Sequence, residues 1–293
     1  MWRNAGVIAR LRDRVEELYF RLAASGLAPR RPFVPPMPKR SHGPPSGGEH
    51  RLEIVSHCWR YEHLLNYQLS SLVLYPPRDT PIRMTVFFSE EDENTREVLD
   101  FFGAQQVRNV AWNWRSLSTP RLFRRSIGRN LAARSTKADW VWFADCDITC
   151  RAGALDELSE ELSGCSAILA FPREHQVTEL LEPDDPLLAI SDQAPKILDV
   201  DRNRFRPEIR DRAVGGLQIV PGDVARTAGY CAGIGVYQRP APKFGNTWED
   251  RTYRWLLGTQ GVGLESSGFY RIRHKVKGRY RSGPLRRQLS SGG

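Results

Sequence analysis

The chain has 293 residues, of which 40% are hydrophobic and 26% are charged, and its formal net charge is +9. This composition is that of an ordinary globular protein, and it excludes the collagen, coiled-coil and wholly disordered classes. The five cysteines are an odd number and form no CxxC pair. They therefore argue against a zinc ribbon or a disulfide framework and favour a cytoplasmic location.

The positive charge is concentrated at the two ends of the chain. Residues 1–50 hold nine basic and four acidic residues, and residues 271–293 hold eight basic and no acidic residues. The body between them, residues 51–270, has 26 basic and 30 acidic residues. Because the body is mildly acidic and carries no nucleic-acid motif, we expect no nucleic-acid partner. The basic ends predict peripheral contact with a membrane or another polyanion, unless they are simply solvated.

The first 49 residues predict a helix followed by a linker. Residues 1–28 are interpreted as an amphipathic helix, because apolar residues recur at helical spacing. These residues are Val7, Leu11, Val15, Leu18 and Leu22. The helix is expected to pack on the main domain, although pairing with a second copy or lying on a membrane surface stay open. Residues 29–49 are interpreted as a stiff linker rich in proline and glycine.

From residue 50 to residue 276 the chain predicts a single α/β domain. Strand and helix patterns alternate as far as residue 171, which is typical of a mostly parallel, Rossmann-like sheet flanked by helices. The predicted strands are 52–56, 82–88, 107–112, 140–144 and 166–171, and the predicted helices are 61–74, 94–102, 122–134 and 152–162. Residues 174–213 lack periodicity and predict an irregular functional loop. Later elements are predicted at 216–220, 248–257 and 269–274, before a basic tail over residues 277–293.

Two carboxylates follow directly after the apolar strand 140–144. Asp145 and Asp147 are separated by one residue, so in an extended chain their side chains point the same way. Carboxylate oxygens suit Mg²⁺ or Mn²⁺, and such an ion would bind a diphosphate. The alternative is that both acids cap the following turn. Ligands of parallel sheets collect at the carboxyl ends of the strands, which favours a binding site here.

Together with the residues before it, this acidic pair resembles the GT-A glycosyltransferases of the family 2 type. Arg129-Asn130 lies on a helix, and a short turn and an apolar strand then lead to Asp145-Cys146-Asp147. The resemblance covers about residues 51–276. It implies a GT-A fold, hexosyltransferase activity, a divalent metal (Mn²⁺ or Mg²⁺) and a nucleotide-sugar donor. A UDP-sugar is favoured over a GDP- or dTDP-sugar, and a glycan or lipid-linked acceptor is expected.

The resemblance also implies roles for individual residues. Asp145, Asp147 and His274 would hold the metal. Asp250, with Glu249 second, would be the base of an inverting reaction; the alternative is that these acids merely favour a helix N-terminus. The donor would be bound by Ser56, His57, Glu90, Arg129, Asn130 and Asp145. An arginine among Arg271, Arg273 and Arg279 would add positive charge at the diphosphate.

One motif departs from the family pattern, and two other functions remain as alternatives. The family usually has an Asp-Asp-Gly-Ser type run after the second strand, whereas this chain has Glu90-Glu91-Asp92-Glu93. A sugar nucleotidyltransferase would need a glycine-rich loop near the first strand, but residues 52–65 contain no glycine. A non-catalytic membrane- or polyanion-binding protein would use the basic ends, and the acidic balance of the body argues against it.

Overall fold

A computed structural model describes residues 2–38, 48–188, 194–244 and 248–275, with side chains from Leu11 onward. Part of the predicted linker (39–47), Thr247 and the predicted basic tail (277–293), which includes Arg279, lie outside the described residues. The helices are α1 Trp2–Leu22, α2 Glu62–Leu74, α3 Glu93–Gly103, α4 Thr119–Leu122, α5 Arg125–Ser135, α6 Ala154–Gly164, α7 Gly222–Ala228, α8 Gly235–Gln238 and α9 Glu249–Leu257. The strands are β1 His50–His57, β2 Ile82–Phe88, β3 Val110–Ser116, β4 Ala138–Phe143, β5 Ile148–Cys150, β6 Ala170–Pro172, β7 Glu174–Thr178, β8 Phe205–Ile209, β9 Gln218–Pro221, β10 Val262–Leu264 and β11 Phe269–Arg271.

Two sheets organise the described residues. The larger has seven strands in the order β10-β6-β9-β4-β1-β2-β3, and only β9 runs antiparallel to its neighbours. All six residues of β4 are buried, which explains its continuous apolar run, because helices cover both faces of such a sheet. The smaller sheet has the order β5-β11-β7-β8. The predicted mixed α/β fold with a mostly parallel sheet is confirmed.

The order of strands and helices predicted up to residue 171 agrees with the structure, except that β5 was not predicted and the strand predicted at 166–171 begins only at Ala170. The prediction for residues 174–213 is wrong at both ends. There β7 and β8 pair antiparallel, from Glu174 opposite Ile209 to Thr178 opposite Phe205. Strand β8 has no apolar periodicity because it is an edge strand whose charged residues face solvent around Pro207. Proline and charged side chains are typical of sheet edges, where no further strand needs the backbone donors.

Helix α1 packs on α8 and α9, as expected, but not through its predicted apolar stripe. Phe20 is the buried contact, and its ring meets the ring of Phe33 edge-on at 5.1 Å between centroids. The described members of the stripe are exposed, namely Leu11, Val15, Leu18 and Leu22. Arginines of the domain form ion pairs with α1, so its acidic side, rather than its apolar stripe, faces the domain. Within the described residues, no helix has the length and apolar character needed to cross a membrane.

Candidate functional site

The carboxyl ends of β1 and β4 border a cleft of about 290 Å³. These two strands are parallel neighbours, so the residues that follow them meet at the same edge of the sheet. The charged and imidazole side chains that line the cleft are His57, Arg125, Arg129, Asp145, Asp147, Asp250, Arg271 and His274. The volume is close to the lower end of the range for small-molecule sites. Seven of the residues that the sequence singled out are thus brought together.

The backbone carbonyl of Asp145 accepts a hydrogen bond, and three guanidinium groups contact its carboxylate. The side-chain amide of Gln68 donates to its backbone carbonyl at 2.9 Å. Nη1 of Arg125 and Nη2 of Arg129 each donate to Asp145 Oδ1 at 3.3 Å, and Nη2 of Arg271 lies 3.6 Å from Oδ2. Nε of Arg271 also donates to Asp147 Oδ2 at 3.2 Å. The acidic pair therefore holds three arginines around one point of the cleft.

These arginines remain charged in spite of their burial. Burial is the largest single effect on the pKa of Arg125 and lowers it, but nearby groups, with Glu249 and Asp145 first among them, raise the pKa above its usual value. Asp147 is the main cause that raises the pKa of Arg271. Three fixed guanidinium groups beside a cleft can bind the oxygens of an anion such as a diphosphate.

The arginines are positioned by helix geometry and by strand pairing. Arg125 and Arg129 lie one helical turn apart on α5, which places them on one face. Nε of Arg125 donates to Glu249 Oε1 at 3.1 Å, and Nη1 of the fully buried Arg129 donates to the Tyr230 hydroxyl at 2.9 Å. Arg271 reaches the acidic pair because β11 pairs with β5, opposite Ile148. Arg125 was not among the residues predicted from the sequence. Its position four residues before Arg129 could have indicated that the two side chains lie on the same helix face.

His57 is a second polar group directed at the cleft. Its ring stacks on Phe87 with 5.0 Å between centroids, and the residue is nine-tenths buried. Neither ring nitrogen has a hydrogen-bond partner within the described part of the chain. Burial, followed by the positive charge of Arg129, lowers the pKa of His57 well below its usual value. His57 is therefore a neutral imidazole, whose ring has one hydrogen-bond donor and one acceptor.

The two acids that begin α9 are placed differently. Asp250 lines the cleft, and 28% of its side chain is exposed. If Gly215 carried a Cβ atom, that atom would lie 3.9 Å from Asp250 Oδ2 and 3.9 Å from Asp145 Oδ2. The two carboxylate oxygens are therefore no farther apart than twice this distance. Glu249 is buried and ion-paired with Arg125. Of the two predicted bases, only Asp250 faces the cleft.

Three predicted donor contacts lie away from the cleft lining. Ser56 is buried next to His57 on β1, and neighbouring residues of a strand point to opposite faces. Glu90 is exposed in the turn after β2. The side-chain amide of Asn130 donates to Gln238 Oε1 at 3.0 Å, and its oxygen accepts from the backbone amide of Tyr230. Donor contacts by these three residues stay predictions that their placement does not support.

The predicted metal ligands share the cleft without forming a cluster. His274 lines the same cleft as Asp145 and Asp147, and its ring lies edge-on to Tyr61 at 5.3 Å between centroids. Among the described residues, no group of three or more His, Cys, Asp and Glu side chains is arranged to hold a metal ion. The donor set still fits Mg²⁺ or Mn²⁺ in kind, since two carboxylates border one cleft. In the structure, the three arginines compensate the negative charge of these two carboxylates.

Comparison with known proteins finds likeness in structure and not in sequence. No protein-family model and no curated protein sequence matches the chain. A crystal structure of S. aureus TarS, residues 1–349, in complex with UDP-GlcNAc has a TM-score of 0.51 at 9% identity, over 80% of this chain and 61% of that one. The mannosyltransferase PcManGT from Pyrobaculum calidifontis, in complex with GDP-Man and Mn²⁺, has a TM-score of 0.44 at 15% identity, over 91% of this chain and 67% of that one.

Of these two structures, the TarS complex is similar enough to support a statement about the fold. At 9% identity the likeness concerns the arrangement of helices and strands, and the chain spans about three-fifths of this TarS fragment of residues 1–349. Together with the mostly parallel seven-stranded sheet, it shows that this chain has a GT-A fold. The fold implied by the sequence resemblance is thereby confirmed.

Proposed function

We propose that the protein is a glycosyltransferase that moves a sugar from a nucleotide-diphosphate sugar to an acceptor hydroxyl group. The observation that carries this proposal is the convergence of Arg125, Arg129 and Arg271 on Asp145 and Asp147 in one cleft. A transferred sugar leaves a nucleoside diphosphate, on which negative charge develops as the glycosidic bond breaks. Charged guanidinium groups that are already in place stabilise this leaving group.

His57 is proposed to contact the nucleoside. His57 lines the cleft at the end of β1, and the flat stack with Phe87 holds its ring in place. A neutral imidazole donates and accepts one hydrogen bond each, which matches the edge of a base or a ribose hydroxyl. A UDP-sugar is the favoured donor, as the sequence resemblance implies.

Asp250 is proposed to remove the proton of the acceptor hydroxyl in an inverting reaction. A general base must be ionised and within reach of the hydroxyl, and Asp250 is the partly exposed carboxylate at the start of α9. The proton passes from the acceptor oxygen to an Asp250 carboxylate oxygen while that acceptor oxygen bonds to the sugar carbon. Glu249 instead holds Arg125 in position.

A divalent ion remains part of the proposal. Asp145 and Asp147, with His274 as a third ligand, would hold Mn²⁺ or Mg²⁺. When bound, the ion would add positive charge at the diphosphate. Membership of family 2, a glycan or lipid-linked acceptor and a cytoplasmic location stay predictions. Contact of the basic chain ends with a membrane also stays a prediction, and the C-terminal end lies outside the described residues.

The proposal is tested by incubating the purified protein with UDP-, GDP- and dTDP-sugars in Mn²⁺, Mg²⁺ or EDTA and measuring released nucleoside diphosphate. We expect release from one donor, a loss of at least about tenfold in EDTA, and loss of release in Asp145→Asn/Asp147→Asn. The variant Asp156→Asn is the matched control, since Asp156 is an acid that caps a turn far from the cleft lining.

Other outcomes discriminate between the alternatives. Release of pyrophosphate from a nucleoside triphosphate and a sugar phosphate would indicate a nucleotidyltransferase. Absence of release and of binding for every donor would contradict the transferase and favour a binding protein. Undiminished release in EDTA would remove the metal from the proposal and leave the arginines as the groups that bind the diphosphate.

A further inference from the structure

Helix α1 presents an apolar stripe to solvent, while Phe20 and three acidic residues on its opposite side contact the domain. The exposed fractions of its members are 62% for Leu11, 59% for Val15, 55% for Leu18, 48% for Tyr19 and 51% for Leu22. At helical spacing these residues form one continuous face. A contiguous exposed apolar face of this kind marks an interaction surface, whereas scattered apolar residues do not.

Contacts on the opposite side of α1 determine that the apolar stripe faces solvent. Phe20 is buried against the domain, and Arg239 pairs with Asp13 at 2.9 Å and with Glu16 at 2.6 Å. Glu17 pairs with Arg124 at 2.6 Å. These three are all the acidic residues of α1. Because each is turned toward the domain and neutralised there, the apolar stripe cannot be buried by rotating the helix without breaking these ion pairs.

The charge that remains on the outer side of α1 is positive. Arg12, Arg14 and Arg21 are exposed. Arg14 makes no ion pair within the described part of the chain, and Arg12 lies only at 3.7 Å from its acidic neighbours. An apolar stripe with arginines beside it is the pattern of a helix that lies in the plane of a membrane interface. A second copy of the same face would bring like charges together, which is unfavourable.

We propose that the outer face of α1 binds an anionic lipid surface, with Leu11, Val15, Leu18 and Leu22 inserted among the headgroups and Arg14 beside the lipid phosphates. The helix lies next to the candidate cleft, because the Arg21 guanidinium sits 4.7 Å over the ring of Trp248, which lines the cleft. Binding would therefore bring the cleft close to the bilayer, where a lipid-linked acceptor resides. That last consequence rests on the proposed function, whereas the lipid contact does not.

The test is co-sedimentation of the full chain with vesicles of phosphatidylcholine alone and of phosphatidylcholine mixed with phosphatidylglycerol. We expect binding to the anionic vesicles, and a loss of at least about tenfold in Leu11→Ser/Val15→Ser/Leu18→Ser. Arg14→Glu should lower binding by about tenfold or more, since it removes one positive charge and adds a negative one. Leu74→Ser/Ile209→Ser is the matched control, because both residues are exposed apolar residues elsewhere.

All these variants retain the basic C-terminal tail, so a difference between them reports on α1. The altered residues are exposed, and thermal unfolding checks that each variant folds. Equal binding of the triple-serine variant and the wild type would overturn the proposal. So would a dimer in sedimentation equilibrium that the triple-serine variant abolishes, without vesicle binding, because the face would then belong to a second copy. Nucleoside diphosphate release without vesicles measures the proposed function separately.

Discussion

At the scale of single residues, the cleft brings together arginines and a carboxylate that are proposed to have different roles. Arg125 and Arg129 contact Asp145 on one side, and Asp250 faces the same space from α9. Glu249 precedes Asp250 in the chain but is buried against Arg125. Two neighbouring carboxylates thus have different environments, and we expect different consequences when each is neutralised.

For Asp250→Asn we expect turnover to fall by about 10²- to 10⁴-fold, because an amide cannot accept the acceptor proton. Affinity for the nucleoside diphosphate should stay within about twofold, since the ion pair of Asp250 is with Arg254 and not with the three arginines that are proposed to bind the diphosphate. The measurement is a comparison of kcat in the release assay with the Kd for the nucleoside diphosphate by calorimetry. Turnover close to that of the wild type would show that Asp250 is not the base.

Glu249→Gln is the matched comparison on the same helix. It removes the charge partner of Arg125, so we expect KM for the donor to rise while kcat changes less. Should Glu249→Gln lower kcat as strongly as Asp250→Asn with KM unchanged, the assignment of the base would pass to Glu249.

At the scale of elements, α5 and β1 are in such close contact that only glycine fits between them. A Cβ on Gly128 would lie 2.1 Å from Nε2 of His57 and 2.9 Å from Cγ of Phe87. The stacked pair of His57 and Phe87 belongs to two parallel strands, β1 and β2, that pair at these residues. Helix α5 therefore holds both its own arginines and the His57 ring at a fixed distance.

We expect Gly128→Ala to lower the free energy of unfolding by about 1–3 kcal/mol, because an added methyl group overpacks a buried contact. Donor affinity should fall as well, since the His57 ring must shift. Urea unfolding measures the first effect and calorimetry the second. Gly164→Ala is the control: nothing lies within 4 Å of a Cβ there, so its stability should stay equal or rise slightly. Equal stability of both variants would contradict the close packing.

The elements also show which parts of the site could be predicted. The apolar run of β4 revealed a buried strand, and the order of strands then placed Asp145 and Asp147 at the ligand-binding edge. The surroundings of these acids could not be read in the same way. Arg271 comes from a strand more than 120 residues later, and pairing in a second sheet leaves no local pattern, so the sequence named it only as one of three candidate arginines. The α1 stripe was recognised, but its direction depends on ion pairs with distant arginines.

At the scale of the whole molecule, the four-stranded sheet contains both an arginine of the cleft and a buried histidine that affects stability. Strand β11 carries Arg271 and pairs with β7, where His175 lies opposite Glu208 of β8. His175 is buried, and its Nε2 is 3.2 Å from Glu208 Oε2. Burial lowers the pKa of His175 from 6.5 to about 4, although Glu208 opposes this effect. The folded protein therefore binds this proton less readily than the unfolded chain does.

A pKa that is lower in the folded state makes stability fall as the pH drops below about 6.5, until the pH reaches about 4. One group with this shift contributes up to about 2 kcal/mol between pH 7.5 and pH 5. We expect the loss of unfolding free energy over this interval to be smaller in His175→Gln than in the wild type, measured by urea unfolding at both pH values. Because β7 supports β11, donor affinity should weaken in the same interval. Identical pH dependence in the two proteins would show that folding does not lower the pKa of His175.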